Sequence, residues 1–475
     1  MYMNEETYRG YLKDYPVVPV YKIYEEDLLT PIGIYTKLEN LNPSYILESV
    51  GDPKNLGRFS FIGLETMPLT EAYNQLNLTE IEDVISSYKG PEISELPPYY
   101  ASIIGYMAYN AIEDVHPITL NKKMSIPKYQ FMFSKLVIVV DHLKHQLIII
   151  NNVVNPSESD YDTAIKSIDQ IYNHLQTNHF AQSIEHHENE PLCFESNFEK
   201  KDYIDSVEKA KEYIVAGDIF QVVLSQKFTA KGSINGFDLY RNLRKENPAP
   251  YLSYIRFPGF EILCSSPEML VRMNNEVVET APIAGTRAVK NDGKDHLREQ
   301  ELLSDEKDLA EHLMLVDLGR NDIGKISEAG SVKVPEYCQA KYFSKVMHLV
   351  SSVTGIPKND VTPIDSIRAT FPAGTVSGAP KLRAMEIIDE LEPDSRDLYA
   401  GSIVLLNQSG HLNSCISIRT IQLRDEKIIV QAGGGIVYDS NPEHEYLESL
   451  NKASAMFKAI EKTYKGDVEY DFDYR

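Results

Sequence analysis

The 475-residue sequence has no tryptophan and only four cysteines, Cys193, Cys264, Cys338 and Cys415. The cysteines stand far apart and form no CxxC pair. That excludes a zinc knuckle and a disulfide framework and points to a reducing compartment, the cytoplasm. Long apolar runs are also missing. Leu136 to Val140 stops at Asp141, and Leu147 to Ile150 stops at Asn151; neither reaches the length of a membrane span. No GxxxxGK[ST] phrase is present, so a nucleoside triphosphate loop is not expected. Basic side chains are scarce, with 47 Lys and Arg against 70 Asp and Glu, a net charge of −23. Such a surface repels nucleic-acid phosphates and, at long range, anionic metabolites. No nucleic-acid or membrane partner is expected, and an anionic substrate needs a strong local cationic site.

What is present is an ordinary globular composition, 43% hydrophobic and 25% charged. Phe131 to Val140, a polar break, and Gln146 to Ile150 predict a β-hairpin. Ser414 to Leu423, a break at Arg424 to Glu426, and Lys427 to Gln431 predict another. Helices are predicted over Asp305 to Leu318, Pro380 to Leu391 and Pro442 to Lys462, with Gly217 capping the end of an earlier one. Hairpins mixed with helices predict an α+β fold rather than a doubly wound parallel sheet. The organisation expected is an N-terminal region over 1–185, a connector over 186–195, a second region over 196–465 and a frayed acidic tail over 466–475.

Five segments carry the chemistry. After Glu311 the helix runs Leu313, Met314, Leu315, Val316, Leu318, apolar nearly all round, which predicts burial. A buried Glu311 needs an arginine (Arg320 or Arg287), a proton or a metal. On the last helix Glu445, Glu448 and Lys452 fall within about 60° of one another at 100° per residue. Two carboxylates one turn apart can share Mg²⁺, and the lysine can hold an anion beside it; an exposed Glu–Lys pair is the plainer alternative. The glycines Gly433, Gly434 and Gly435 suit either a carboxylate cradle or a tight turn. The small-residue loop Phe371 to Lys381 opens a helix and can offer free N–H groups to an anion. Arg419, expected within a strand, is an anion clamp or a sheet-edge charge. Together these describe a Mg²⁺-assisted site for a small polycarboxylate.

The phrases Ala310-Glu-His-Leu-Met-Leu-Val-Asp-Leu-Gly-Arg-Asn-Asp322, Pro282-Ile-Ala-Gly-Thr-Arg287, Phe371-Pro-Ala-Gly-Thr-Val-Ser-Gly-Ala-Pro-Lys381 and Gln431-Ala-Gly-Gly-Gly-Ile-Val437 resemble the chorismate-utilising enzymes, most of all their anthranilate-forming branch. The resemblance is dense from Asn197 to about Lys462 and weaker before it. It implies a large antiparallel β-sandwich with flanking helices, a Mg²⁺ cofactor, and conversion of chorismate and ammonia to anthranilate and pyruvate. It implies metal ligands at Glu311 and Glu448 with Glu445 close by. Substrate carboxylates would meet Arg419, Lys452, Tyr399 and the amides of Gly433, Gly434 and Gly435, with Thr375 along the substrate. Glu268 matches the family's general acid, and burial would keep its proton on at neutral pH. His348 matches the histidine tied to pyruvate elimination.

Two positions sort the sub-family by the same resemblance. Water-adding members carry a lysine base where Gln221 stands, and aminodeoxychorismate-forming members usually carry a nucleophilic lysine at the place of Ala284. The absence of a GxCxG nucleophile phrase implies a separate glutamine amidotransferase subunit as the ammonia source. Ile46-Leu-Glu48-Ser49 and Asn247-Pro-Ala-Pro250-Tyr251-Leu252 resemble the family's feedback pocket, in which Glu48 or Ser49 would receive the amino group of tryptophan and Tyr251 would line the indole slot. Aminodeoxychorismate formation, or a non-catalytic tryptophan-sensing role, is the alternative.

Overall fold

The computed structural model describes residues 2–49, 56–69, 76–101, 103–177, 190–343, 346–407 and 409–472. The hairpin expected from the apolar runs forms between Tyr129–Asp141 and Gln146–Val154, with Val137 opposite Ile150 and Val140 opposite Leu147. Its runs do not alternate with polar residues because both faces are covered: Leu136–Val140 and Leu147–Ile150 are buried throughout. Helix Asp160–Thr177 packs onto this hairpin, burying Ala164, Ile168, Ile171 and Leu175, one apolar residue per turn.

The fold is α+β, as the mixture of hairpins and helices predicts. Among the described residues every strand pairing is antiparallel except that of Leu192–Ser196 with Val468–Tyr470. Strands from the two halves of the sequence are interleaved. Tyr45–Glu48 pairs with Tyr251–Phe257, and Ile103–Met107 pairs with Ser402–Leu406. A boundary near 186–195 therefore divides the sequence but not the sheet. Residues 186–189 of the expected connector lie outside the described residues, and Leu192–Ser196 is a strand rather than a linker. The tail is not frayed over its described part. Tyr470 and Phe472 close on Phe457, at ring centroid distances of 5.1 and 5.9 Å; burying aromatic surface outweighs the acidic character that suggested disorder.

The two helices that bear carboxylates start where local chemistry starts them. Asp305 accepts from the backbone N–H groups of Lys307 and Asp308 to cap Glu306–Ile326, and Asn441 accepts from His444 N–H to cap Pro442–Thr463. The first of these is not apolar all round in its setting. His312, Leu315, Val316 and Gly319 face inward, whereas Leu313 is 48% exposed. Among the described residues no helix is long and apolar enough to cross a membrane.

Candidate functional site

The strand Lys427–Ile436 forms the floor of the largest candidate site. It pairs along its length with Gln221–Lys231, placing Gly433 opposite Ser225 and Gly435 opposite Val223. On its other edge Thr420–Arg424 accompanies it only to Val430. Beyond Gln431 that edge is open, and alternate backbone N–H groups face away from the ladder. The glycines thus make no tight turn; they are strand residues that keep the floor low. A Cβ on Gly435 would lie 2.4 Å from Gln221 Nε2, and one on Gly434 would lie 3.2 Å from Glu445 Oε2 and 3.5 Å from Glu448 Oε1.

Above this floor lies a cavity of about 730 Å³. Glu311 enters from Glu306–Ile326. Glu445, Glu448 and Lys452 enter from Pro442–Thr463, and Glu268 stands just before the strand Met269–Met273. His348, Thr375, Tyr399, Arg419, Gln221, Gly433 and Gly435 complete the walls. Gly434 is not on the wall and instead backs the two carboxylates of the last helix. Segments more than a hundred residues apart in sequence therefore converge on one space.

Arg419 departs from its expected place. It does not lie within a strand; it sits between Leu412–Ile416 and Thr420–Arg424, with a left-handed φ of 52°. That turn swings its guanidinium off the sheet, where Nη1 donates to the carbonyl of Lys452. Lys452 Nζ itself lies 2.7 Å from Glu448 Oε1. Glu311 has neither of the arginine partners considered for it. Arg320 pairs with Asp317, and Arg287 pairs with Glu301, Asp305 and Asp308. Among the described residues Glu311 accepts from Gln221 Nε2 alone, at 3.2 Å.

The electrostatics follow from burial. Burial pushes the carboxyl of Glu268 up to about 7; a hydrogen bond with Thr375 and the charge of Lys452 oppose this, and Glu311 adds to it. Burial also raises Glu311 and Glu445, the latter with help from the charge of Glu448. Tyr399 is pushed by burial up to about 12, so it remains a neutral hydroxyl. Burial, with Arg419 close by, lowers His348 and keeps the ring neutral. His348 Nδ1 lies 2.8 Å from the carbonyl of Gly285. A carbonyl only accepts, so Nδ1 carries the hydrogen and Nε2 keeps a free lone pair. Among the described residues three buried polar atoms on the walls have no partner: Gln221 Oε1, Gln431 Oε1 and Glu445 Oε2. Unpaired buried polar atoms cost free energy unless something binds them.

Among the described residues no three His, Cys, Asp or Glu side chains close into a metal cage. Mg²⁺, however, is commonly held by one or two carboxylates, with substrate oxygens and water completing its shell. The buried, uncompensated Glu311 and Glu445 beside Glu448 fit that arrangement. Sequence reasoning passed over Gln431 and Thr286 as site residues. Gln431 lines the cavity, and Thr286 Oγ1 lies 3.1 Å from His348 Nδ1. Both stand inside the motif phrases, which was the available signal.

A second, mainly apolar cavity of about 230 Å³ lies where the two halves of the sheet meet, and Glu48, Ser49, Pro250, Tyr251 and Leu252 all line it. The carboxylate of Glu48 is committed elsewhere. Tyr240 Oη donates to it at 2.8 Å and Arg244 at 2.9 Å. Among the described residues Ser49 Oγ, Tyr251 Oη and Asn413 Oδ1 are buried there without partners.

Residues 43–458 match the family described as chorismate binding enzyme. The chain is 43% identical over 477 residues to anthranilate synthase component 1 of Acetivibrio thermocellus, covering 95% of this chain and 96% of that protein. It is 38% identical to the protein of the same name from Acinetobacter calcoaceticus, covering 95% and 97%. The structure is similar to a crystal structure of anthranilate synthase component I from Streptococcus pneumoniae TIGR4, with a TM-score of 0.76 and 37% identity over 92% of this chain and 99% of that one. It shares its fold with the menaquinone-specific isochorismate synthase MenF of Escherichia coli, with a TM-score of 0.70 at 19% identity over 96% and 98%.

Proposed function

The chain belongs to the chorismate binding enzyme family, and from that premise we propose that it is the chorismate-converting component of an anthranilate synthase, forming anthranilate and pyruvate from chorismate and ammonia. The observation that carries this reading is the meeting, in one cavity, of three carboxylates with Arg419, Lys452 and a neutral histidine. Mg²⁺ would be held by Glu311 and Glu448, with Glu445 close by, and when bound it supplies Lewis-acid charge next to the substrate carboxylates. Chorismate is a dianion, and Arg419 and Lys452 orient it against the floor strand. Glu268 donates its proton to the departing ring hydroxyl, which leaves as water. Tyr399 donates a hydrogen bond, and Thr375 Oγ1 lies along the ring. His348 offers Nε2 to the step that releases pyruvate.

Gln221 and Ala284 support attack by ammonia. Gln221 has no lone pair basic enough to take a proton from water at neutral pH. Ala284 puts no amine on the cavity wall, where a lysine would supply a covalent nucleophile. Ammonia comes from a separate glutamine amidotransferase subunit, in the cytoplasm. The test is the purified chain with chorismate, Mg²⁺ and ammonium, read by product fluorescence and mass. A product with the mass of aminodeoxychorismate, or no chorismate consumption, overturns the reading.

The apolar cavity suits tryptophan as a feedback inhibitor. An indole fits its walls, and Ser49 Oγ can accept from the ligand's ammonium group, since Glu48 is already bound by Tyr240 and Arg244. Ser49→Ala should weaken tryptophan inhibition about tenfold or more, the size of a hydrogen bond to a charged group, with turnover nearly unchanged. Coincident inhibition curves for variant and wild type would move the inhibitor site elsewhere.

A further inference from the structure

Behind the floor of the cavity lies a buried ion pair that touches no substrate position. Arg396 and Glu392 have side-chain exposures of 1% and 3%, and their contact atoms are 2.6 Å apart. Two charges so fully removed from water give little net stability, and apolar replacements of similar shape often do as well. What this pair holds is more informative. Arg396 Nη1 donates to the carbonyl of Val376 at 2.7 Å, and Nη2 donates to the carbonyl of Val223 at 2.6 Å. Val376 follows Thr375 in the turn Gly374–Val376, and Val223 belongs to the strand that carries Gln221. The guanidinium also lies over the ring of Tyr399, 5.5 Å from its centroid. Glu392 Oε1 accepts from Ser225 N–H and Ser225 Oγ, both at 2.8 Å, and Ser225 Oγ in turn accepts from Gln431 Nε2 at 2.9 Å. Four separate stretches of the cavity wall are thus tied to this one ion pair.

We propose that Arg396 and Glu392 are positioning residues, fixing Thr375, Tyr399, Gln221 and Gln431 at the separations the reaction requires. The inference rests on the reading of the cavity as the chorismate site. A guanidinium suits this task because its donors diverge in one rigid plane and reach both carbonyls at once. A lysine keeps the charge facing Glu392 but offers a single point of donation. Arg396→Lys should therefore fold and bind chorismate within about threefold of wild type, measured at equilibrium without ammonium, while kcat falls about 10- to 100-fold through loss of alignment. Glu392→Gln keeps shape and an acceptor for Ser225, and carries the test where the arginine variant does not fold; the same fall in kcat without a matching loss of affinity is expected. Thermal melts establish folding in each case. A folded variant of either kind that keeps wild-type kcat overturns the proposal, and so does unfolding of both, which makes the pair structural alone. A wild-type chain that consumes no chorismate is a separate result: it overturns the reading of the cavity and takes this inference with it.

Discussion

Glu268→Gln is expected to lower kcat for chorismate turnover by about 10²- to 10⁴-fold, the usual worth of a general acid. The amide keeps the size and can still donate a hydrogen bond, but it has no proton to give to a leaving hydroxyl. The same change should alter stability in a pH-dependent way that no neutral residue would show. The folded-state value of about 7 lies above the ordinary 4.5 because burial disfavours the anion. Below the lower value both folded and unfolded chains carry the proton, and Glu268 costs nothing. As pH rises, the unfolded chain ionises first, and the wild type loses stability until pH passes the folded value. The full loss between these two values is roughly 3 kcal/mol. The melting temperature of the variant should match that of wild type near about pH 4.5 and exceed it increasingly up to about pH 8. In kinetics with free ammonia held saturating as the neutral species, wild-type kcat/KM for chorismate should descend as pH rises through the value of Glu268, and the residual activity of the variant should lack that limb. Wild-type kcat in Glu268→Gln would remove it as the acid; parallel melting curves at all pH values would remove the buried proton.

Much of this site can be read from the sequence because each contribution is local. Glu311 is six residues after the capping Asp305, and Glu445 and Glu448 follow Asn441-Pro442 within two turns, so cap chemistry and helical spacing fix which side chains face together. The hairpin of Tyr129–Asp141 with Gln146–Val154 is equally local. The features that escape such reading depend on distant partners. Ser414 to Leu423 has the composition of one strand, and nothing nearby marks the left-handed residue that breaks it at Arg419. Val468–Tyr470 pairs with a strand about 276 positions earlier in the sequence, so acidic composition alone suggests a loose tail. Arg396 and Glu392 sit four apart, like an ordinary surface pair; only the carbonyls of Val376 and Val223 distinguish them, and those come from other segments.

Glu448→Gln should abolish Mg²⁺-dependent turnover, a loss of about 10²-fold or more for removing a direct ligand, since even outer-shell partners are worth 10- to 100-fold in affinity. The protein fold should be indifferent to the change. Glu448 and Lys452 make a one-turn pair with side-chain exposures of 49% and 37%, a class of contact worth at most about 1 kcal/mol. Stability and function therefore separate cleanly at this residue, unlike at Glu311, which is held by Gln221 and lies deeper. The physical basis is charge balance. A molecule at −23 places Glu311, Glu445 and Glu448 around the very space intended for a dianion. With no divalent ion between them, acid and substrate repel, and burial pushes Glu311 and Glu445 toward their neutral forms. With the ion in place, Glu311 and Glu448 would hold it, with Glu445 close by, and the substrate would meet positive charge. Replacing one carboxylate by an amide weakens the ion's hold while leaving every contour of the cavity intact. The measurement is a Mg²⁺ titration of turnover alongside direct Mg²⁺ binding and a thermal melt. An unchanged titration in a fully folded Glu448→Gln chain would remove Glu448 as a ligand of the metal.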